Sequence, residues 1–246
     1  MAKTASGLVM YAIMQLGKPY WYATYGAISS ESLYKAKKKQ YPAYYTASNF
    51  SAQYGQRVHD CVGIIKGYHW SETPDGKPKY KANGFPDTSA NGLYNYCKKK
   101  GTNMRLMPDV PGVLVFLPGH VGVYIGNGYV VEARGHAYGV VKTKLSGRGW
   151  KKWAYDPDLE YDTVPGTGED VTTETPTLCK GDKNEHVKRM QTLLQKWSST
   201  ALPKYGADGD FGSETLKWVK AFQKAAGVKI TGIVDFATWA ALEKYD

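Results

Sequence analysis

Two short stretches of this 246-residue chain hold residue types that together could do nucleophilic chemistry. The first is Asp60-Cys61-Val62-Gly63, followed by the apolar run Ile64-Ile65. Asp is a strong helix N-cap, so Cys61 is expected in the first turn of a helix. There the positive end of the helix dipole is expected to lower its thiol pKa, and the thiolate is the nucleophilic form. The second is His120-Val-Gly-Val-Tyr-Ile-Gly-Asn-Gly-Tyr-Val-Val-Glu132-Ala-Arg134, which alternates apolar and polar residues about Gly126-Asn127-Gly128. A three-residue hairpin loop puts Val121, Val123 and Ile125 opposite Ala133, Val131 and Tyr129 on one face. The other face then carries His120, Tyr124, Val130, Glu132 and Arg134, with Glu132 diagonal to His120 and Arg134 opposite it. A histidine beside a thiol can take its proton and later protonate a leaving amine, and a third polar group orients the imidazole. Cys61, His120 and Glu132 form the candidate set, with His136 a rival for the orienting role.

The elements that must position these residues follow from periodicity. Residues 1–160 read as α+β: helices over Ser6–Leu16, from Asp60-Cys61 onward and over Ala90–Lys100, then strands over Gly112–Leu117, His120–Ile125 and Tyr129–Ala133. The Tyr-, Lys- and Ser-rich stretches Gly26–Val58 and Ser71–Thr88 carry no clear period and are expected to form a substrate-facing rim. Tyr161–Pro176 is acidic, rich in Thr, Gly and Pro, and expected to be a linker. Residues 177–246 repeat one pattern, Val187-x-x-Met190-Gln191 and Val219-x-x-Phe222-Gln223, with Leu194 and Ala226 extending each helical face. Ser213 and Asp235 are the expected caps of its second and third helices, making a small three-helix bundle.

Composition bounds the rest. Lys and Arg outnumber Asp and Glu by 32 − 22 = 10, and the excess lies in residues 1–160. Such a field favours anionic partners. No apolar run reaches the roughly 18 residues of a membrane span, so no membrane insertion is expected. Nor does the N-terminus carry a secretory signal pattern, so synthesis in the cytoplasm is expected. The lysine runs Lys37–Lys39 and Lys98–Lys100 read as solvated faces without a nucleic-acid-reading motif. Cys61, Cys97 and Cys179 suggest neither a disulfide framework nor zinc spacing, and His59 and His69 beside Cys61 match no metal pattern. Asp208-Gly209-Asp210 lacks the glycine placement of a calcium loop. No metal or other cofactor is expected.

These residues also carry a resemblance. Leu16-Gly-Lys-Pro-Tyr20-Trp21, Asp60-Cys61-Val-Gly63 and the His120–Ala133 stretch resemble the NlpC-type, papain-like cell-wall peptidases. Gly181…Val187-x-x-Met190-Gln191-x-x-Leu194, Asp208-Gly-Asp-Phe211-Gly212-x-x-Thr215 and Thr231-Gly232-Ile-Val-Asp-x-x-Thr238-Trp239 resemble the type-one peptidoglycan-binding domain. The resemblance implies a papain-like catalytic domain over 1–160, N-terminal helices on an antiparallel sheet, a linker over 161–176 and a wall-binding domain over 177–246. It implies hydrolysis of a stem-peptide amide, most often D-γ-glutamyl–diamino acid, with N-acetylmuramoyl-L-alanine cleavage or a non-catalytic binder as alternatives. By the same resemblance Cys61 is expected to be the nucleophile, His120 the base and Glu132 the third residue. By the same resemblance Tyr20 and Asp60 are expected to support the oxyanion or substrate, and Asp208, Phe211, Thr215 and Trp239 to bind the wall. Peptidoglycan is the implied partner, with anionic wall polymers attracting the basic half, and phage-type lysis the implied setting. Val62 stands where the family has Ser, Glu132 where it has His, Asn or Gln, and the Trp21-to-Cys61 interval is longer than usual.

Overall fold

A computed structural model describes residues 3–73, 76–161 and 176–246. The expected linker lies almost wholly outside them. The chain divides into two compact units, Met1–Val171 and Thr172–Asp246.

The first unit is helices against an antiparallel sheet, the α+β arrangement expected. Helix α1 (Ala5–Met14) is capped by Thr4 and buries Leu8, Val9, Tyr11 and Ala12. Strand β1 (Tyr25–Ile28) leads to α2 (Glu31–Gln40), capped by Ser30, and β2 (Arg57–His59) pairs back on β1. Helix α3 (Cys61–Trp70) begins directly after β2 and packs against α1 and β1. Helix α4 (Ala90–Tyr96) is followed by the short strand β3 (Lys100–Gly101). Then come β4 (Leu114–Leu117), β5 (His120–Gly126), β6 (Tyr129–Ala133), β7 (Val140–Lys144) and β8 (Lys152–Ala154). The main sheet has the order β3-β8-β4-β5-β6-β7, all antiparallel.

Two expectations for this unit are corrected. The helix expected over Ala90–Lys100 ends at Tyr96, because buried Cys97 turns extended and Lys100 pairs with Ala154 in the sheet. The β5–β6 hairpin turns on two residues, not three. Asn127 and Gly128 both have positive φ, 53° and 72°, as a type I′ turn requires. Val123 still faces Val131, because a bulge between Tyr124 and Gly126 absorbs the odd residue, so Gly126 rather than Ile125 pairs with Tyr129. The chemistry-bearing face therefore survives a different turn.

The stretch Gly26–Val58 builds its own small aromatic core. Trp21, Tyr45, Phe50 and Val58 are buried together, with Tyr22, Leu33, Tyr34, Tyr41 and Tyr54 around them. The Trp21 indole N–H donates to Gln53 Oε1 (2.6 Å), and the Tyr45 hydroxyl donates to the Tyr22 carbonyl (2.7 Å). The insertion is thus tied to Trp21 and Tyr22, the segment of chain that precedes it.

The second unit has α5 (Glu185–Trp197), α6 (Ser213–Ala225) and α7 (Phe236–Leu242). Asn184 and Asp235 cap α5 and α7, the latter as expected. Ser213 is not a cap: it is the first helical residue, and Gly212 precedes it with no side chain to accept. Val187, Met190, Leu194, Val219 and Phe222 are buried on the repeated face, whereas Ala226 lies past the end of α6 and is exposed. Among the described residues no helix is long and apolar enough to cross a membrane.

Candidate active site

Helix α3 starts where three backbone segments meet. Asp60 Oδ1 accepts from Gly63 N–H (2.6 Å), the expected cap, and Oδ2 accepts from Ala23 N–H (2.9 Å). The Asp60 N–H in turn donates to the Thr24 carbonyl (2.9 Å). A Cβ at Gly63 would lie 1.9 Å from that carbonyl oxygen, so the helix start can press on the Ala23-Thr24 loop only with glycine there. This clamp fixes Cys61, which is partly accessible.

The Cys61 Sγ lies 4.0 Å from the Gly119 carbonyl, the residue before His120. Asn91 of α4 holds that turn by accepting from Gly119 N–H (3.1 Å). Strand β5 then delivers His120, whose Nε2 meets Glu132 Oε2 at 2.7 Å. Nδ1 is the ring nitrogen left over. Trp150 stacks on the imidazole, with ring centres 5.7 Å apart and planes 11° apart.

Glu132 is fully buried and saturated. Oε1 accepts from Thr143 Oγ1 (2.7 Å) and Arg148 Nε (2.7 Å), and Oε2 accepts from an Arg148 terminal N–H (3.0 Å) as well as facing His120. Burial pulls the carboxyl up, but hydrogen bonds from His120, Arg148 and Thr143 outweigh it and hold it at about 2. It is an anion at any working pH. Its cationic partner is Arg148, not Arg134, which instead sits 4.3 Å over the Tyr138 ring. His136 is also directed elsewhere, toward Asn49 (2.7 Å) and the Phe50 ring. Thr143, Arg148 and Trp150 went unnoticed in the sequence. Alternation over Val140–Lys144 signals the strand that carries Thr143, but nothing periodic marks Arg148 or Trp150.

The thiol departs from expectation. Burial and the Asp60 carboxylate push Cys61 up to about 12, although the N–H groups of Val121, Val62 and Cys61 itself pull the other way. Burial likewise raises Asp60 to about 6. Both Asp60 oxygens are spent on backbone N–H groups, so its role here is holding the helix start. Tyr20 is mostly buried next to Asp60 and Cys61, and burial with their charges raises its hydroxyl. His59 and His69 are interior residues: the first bonds the Tyr11 hydroxyl (2.9 Å), the second Asp156 (2.9 Å). Among the described residues no three His, Cys, Asp or Glu side chains gather as a metal site would need.

A groove of about 430 Å³ opens over Cys61 and Gly119. Its lining draws on both stretches that lacked a sequence period: Lys37, Gln40 and Tyr41 from the first, Tyr80, Asp87 and Thr88 from the second, with Tyr25 just ahead of the first.

In the second unit the expected wall-binding residues are mostly interior. Phe211 and Trp239 are core residues at 0% and 1% exposure, and Thr215 is buried under Gln191 (3.0 Å). A buried side chain offers no surface to a polymer, so these three hold the unit together. Asp208 accepts from Gln191 (2.9 Å) and reaches the surface beside Tyr205 and Glu214.

Residues 183–242 match the family model PG_binding_1, described as a putative peptidoglycan binding domain. Two curated proteins of Bacillus licheniformis are similar over 80 residues: a probable N-acetylmuramoyl-L-alanine amidase at 48% identity and the N-acetylmuramoyl-L-alanine amidase CwlL at 40%. In each case the match covers 32% of this chain and 22% of the relative, so the chain spans about a fifth of those proteins. Among solved structures, NlpC2 and NlpC1 of Trichomonas vaginalis align over 63% and 62% of this chain and 48% and 44% of theirs. Their identities are 15% and 13%, each with a TM-score of 0.39. The second unit thus carries, over residues 183–242, a segment similar to the peptidoglycan-binding domain family.

Proposed function

We propose that the protein is a peptidoglycan hydrolase whose first unit cuts a stem-peptide amide with Cys61 and whose second unit holds it at the cell wall. The observation that carries this reading is a helix-start thiol in an open groove, 4.0 Å from the carbonyl of Gly119, whose next residue His120 is held at 2.7 Å by the buried Glu132. Glu132 locks the imidazole through Nε2, which leaves Nδ1 for the thiol. With its pKa near 12, Cys61 rests as a neutral thiol facing the Gly119 carbonyl. His120 therefore acts as a general base, taking the thiol proton as Sγ attacks the amide carbonyl. The buried Glu132 anion stabilises the imidazolium that forms. Backbone N–H groups at the start of α3, including that of Cys61, face the developing oxyanion. The imidazolium then protonates the departing amine, and neutral His120 activates the water that releases the acyl group.

The bond proposed is D-γ-glutamyl–diamino acid. The two amidase relatives favour a second reading, cleavage between N-acetylmuramate and L-alanine. Digestion of purified sacculi with wild type and Cys61→Ala, products read by mass spectrometry, decides between them. New amino termini on the diamino acid, absent with Cys61→Ala, support the endopeptidase. Stem peptides beginning at L-alanine make it an amidase. Binding to walls without products from either protein overturns the hydrolase.

A further inference from the structure

The groove above Cys61 contains two lysines in different circumstances. Lys66 of α3 is neutralised: its ammonium pairs with Asp87 Oδ1, and the Tyr80 hydroxyl donates to Asp87 Oδ2 (2.8 Å). Lys37 of α2 is not. It belongs to a lysine run expected to be a solvated face, yet it is half-buried and lines the groove. Among the described residues its ammonium has no ion pair and no hydrogen bond, and its nearest partner is the Tyr41 ring, 5.6 Å to the centre.

The two carboxylates close enough to act on Lys37 are Asp60 and Asp87. Both are already engaged: Asp60 by the N–H groups of Gly63 and Ala23, Asp87 by Lys66 and Tyr80. Neither can turn to Lys37 without breaking a contact that holds α3 or the groove wall. A cation taken partly out of water and left unpaired carries a desolvation cost that a ligand anion can repay. Around it the walls are aromatic and amphipathic, with Tyr22, Tyr25 and Tyr41, a setting that strengthens a charge pair by limiting water.

We propose that Lys37 is a specificity residue that pairs with a free carboxylate of the substrate chain lying in the groove. This rests on the hydrolase reading above, whose stem-peptide substrate offers two such groups. One is the α-carboxylate of the γ-linked glutamate, and the other is the carboxylate of the diamino acid. In either case Lys37 distinguishes a free acid from its carboxamide, because the amide oxygen can still accept from the ammonium but brings no negative charge, and the amide N–H groups find no acceptor there.

The test uses four synthetic stem tetrapeptides: unmodified, amidated at one carboxylate, at the other, and at both. Hydrolysis of each is followed for wild type, Lys37→Met, Lys37→Arg and Lys38→Met. Lys38 lies on the same turn, exposed, bonded to Tyr34 and outside the groove lining, so Lys38→Met should behave as wild type. Wild type should favour the acid over one of the amides by about tenfold or more in kcat/KM, consistent with a charge-assisted hydrogen bond. Lys37→Met should bring that ratio close to one, and Lys37→Arg should restore most of it. The amide that responds identifies the carboxylate. A ratio unchanged in Lys37→Met overturns the proposal. If wild type cleaves none of the four, the endopeptidase reading fails instead. Calorimetric binding of the same peptides to Cys61→Ala, with and without Lys37→Met, then decides the carboxylate question on its own: equal affinities for acid and amide reject it.

Discussion

Each unit contains a buried polar side chain saturated with hydrogen bonds, and the two cases differ in what they leave open. In the second unit Gln191 and Gln223 occupy equivalent places in the repeat. The Gln191 amide donates to Asp208, the Asp210 carbonyl and Thr215, and its oxygen accepts from Gly209 N–H (2.8 Å). Gln223 does the same with Thr231, the Ile233 carbonyl, Thr238 and Gly232 N–H (2.8 Å). Both glutamine amides are closed: the nitrogen and the oxygen of each are answered from within the unit. In the first unit Glu132 is equally satisfied by Thr143, Arg148 and His120, but His120 engages it through Nε2 alone, and the residue before it, Gly119, faces the Cys61 thiol and lines the groove. A saturated buried polar group is therefore mute about function by itself. The informative feature is a member of the network with one valence left over in an accessible place.

The sharpest way to break this comparison is at the thiol. Cys61→Ala should lower hydrolysis of sacculi by at least about 10⁴-fold, the scale seen when a nucleophile of a catalytic set is removed. Sedimentation with walls should be unaltered, because nothing in the second unit changes. Residual cleavage near the wild-type rate would show that the open valence of His120 serves some other group.

Glu132→Gln comes next. It keeps the shape but removes the anion that stabilises the imidazolium and partners Arg148. Turnover should fall by about 10²- to 10³-fold, the range of acid–base contributions. The loss should lie in kcat more than in KM. Gln191→Ala is the counterpart in the closed knot. It leaves Gly209 N–H and Thr215 without their partner, which should cost the second unit about 1–3 kcal/mol. Wall binding should weaken at elevated temperature, while cleavage of a soluble stem peptide stays at the wild-type rate. Equal damage to soluble-substrate cleavage would mean that the two units are not functionally separable.

The two units also differ in how much of them the sequence disclosed, for a physical reason. The repeat Val-x-x-Met/Phe-Gln gave the helices of the second unit correctly, since a periodic apolar face has to be buried. That same burial places Phe211, Thr215 and Trp239 inside the unit: motif residues of a small domain are spent on its core. In the first unit Asp60, Cys61, His120 and Glu132 stood out because each type is costly or reactive where the pattern places it. The walls of the groove did not. Tyr25, Lys37, Tyr41 and Tyr80 sit in segments held by aromatic packing and side-chain hydrogen bonds, which have no repeat to detect. Arg148 and Trp150 lie in a turn whose role depends on long-range contact with β5 and β6. The hairpin shows a middle case, in which the face was legible but the turn was not, because a bulge and a two-residue loop reproduce the pairing of a three-residue one.

Acid should separate the units most quietly, through three groups of the first one. Burial and Arg57 hold His59 at about 3, against an ordinary value of 6.5. The unfolded chain then takes up that proton first, so stability falls as pH drops from 6.5 toward 3, at about 1.4 kcal/mol per pH unit. Asp60 has the opposite sign. Its folded value of about 6 exceeds the ordinary 3.8, so the folded chain binds the proton first and gains stability as pH drops from 6 to 3.8. Over that interval the two slopes offset each other. Glu132, at about 2 against an ordinary 4.5, withdraws its contribution as pH falls from 4.5 toward 2, in the same direction as His59. The first unit should accordingly keep a nearly level stability from pH 6 to about 4.5 and lose it steeply below about 4. Asp60→Asn removes the opposing group while leaving an oxygen to cap α3, and its stability should decline continuously from pH 6.5. Urea unfolding at a series of pH values, with pulse-labelled hydrogen exchange read on peptides of β5 and β6, measures both profiles. Parallel profiles for wild type and Asp60→Asn would show that Asp60 is ionised in the folded chain well below pH 6, so its carboxylate would bear on the Cys61 thiol across the whole acid range.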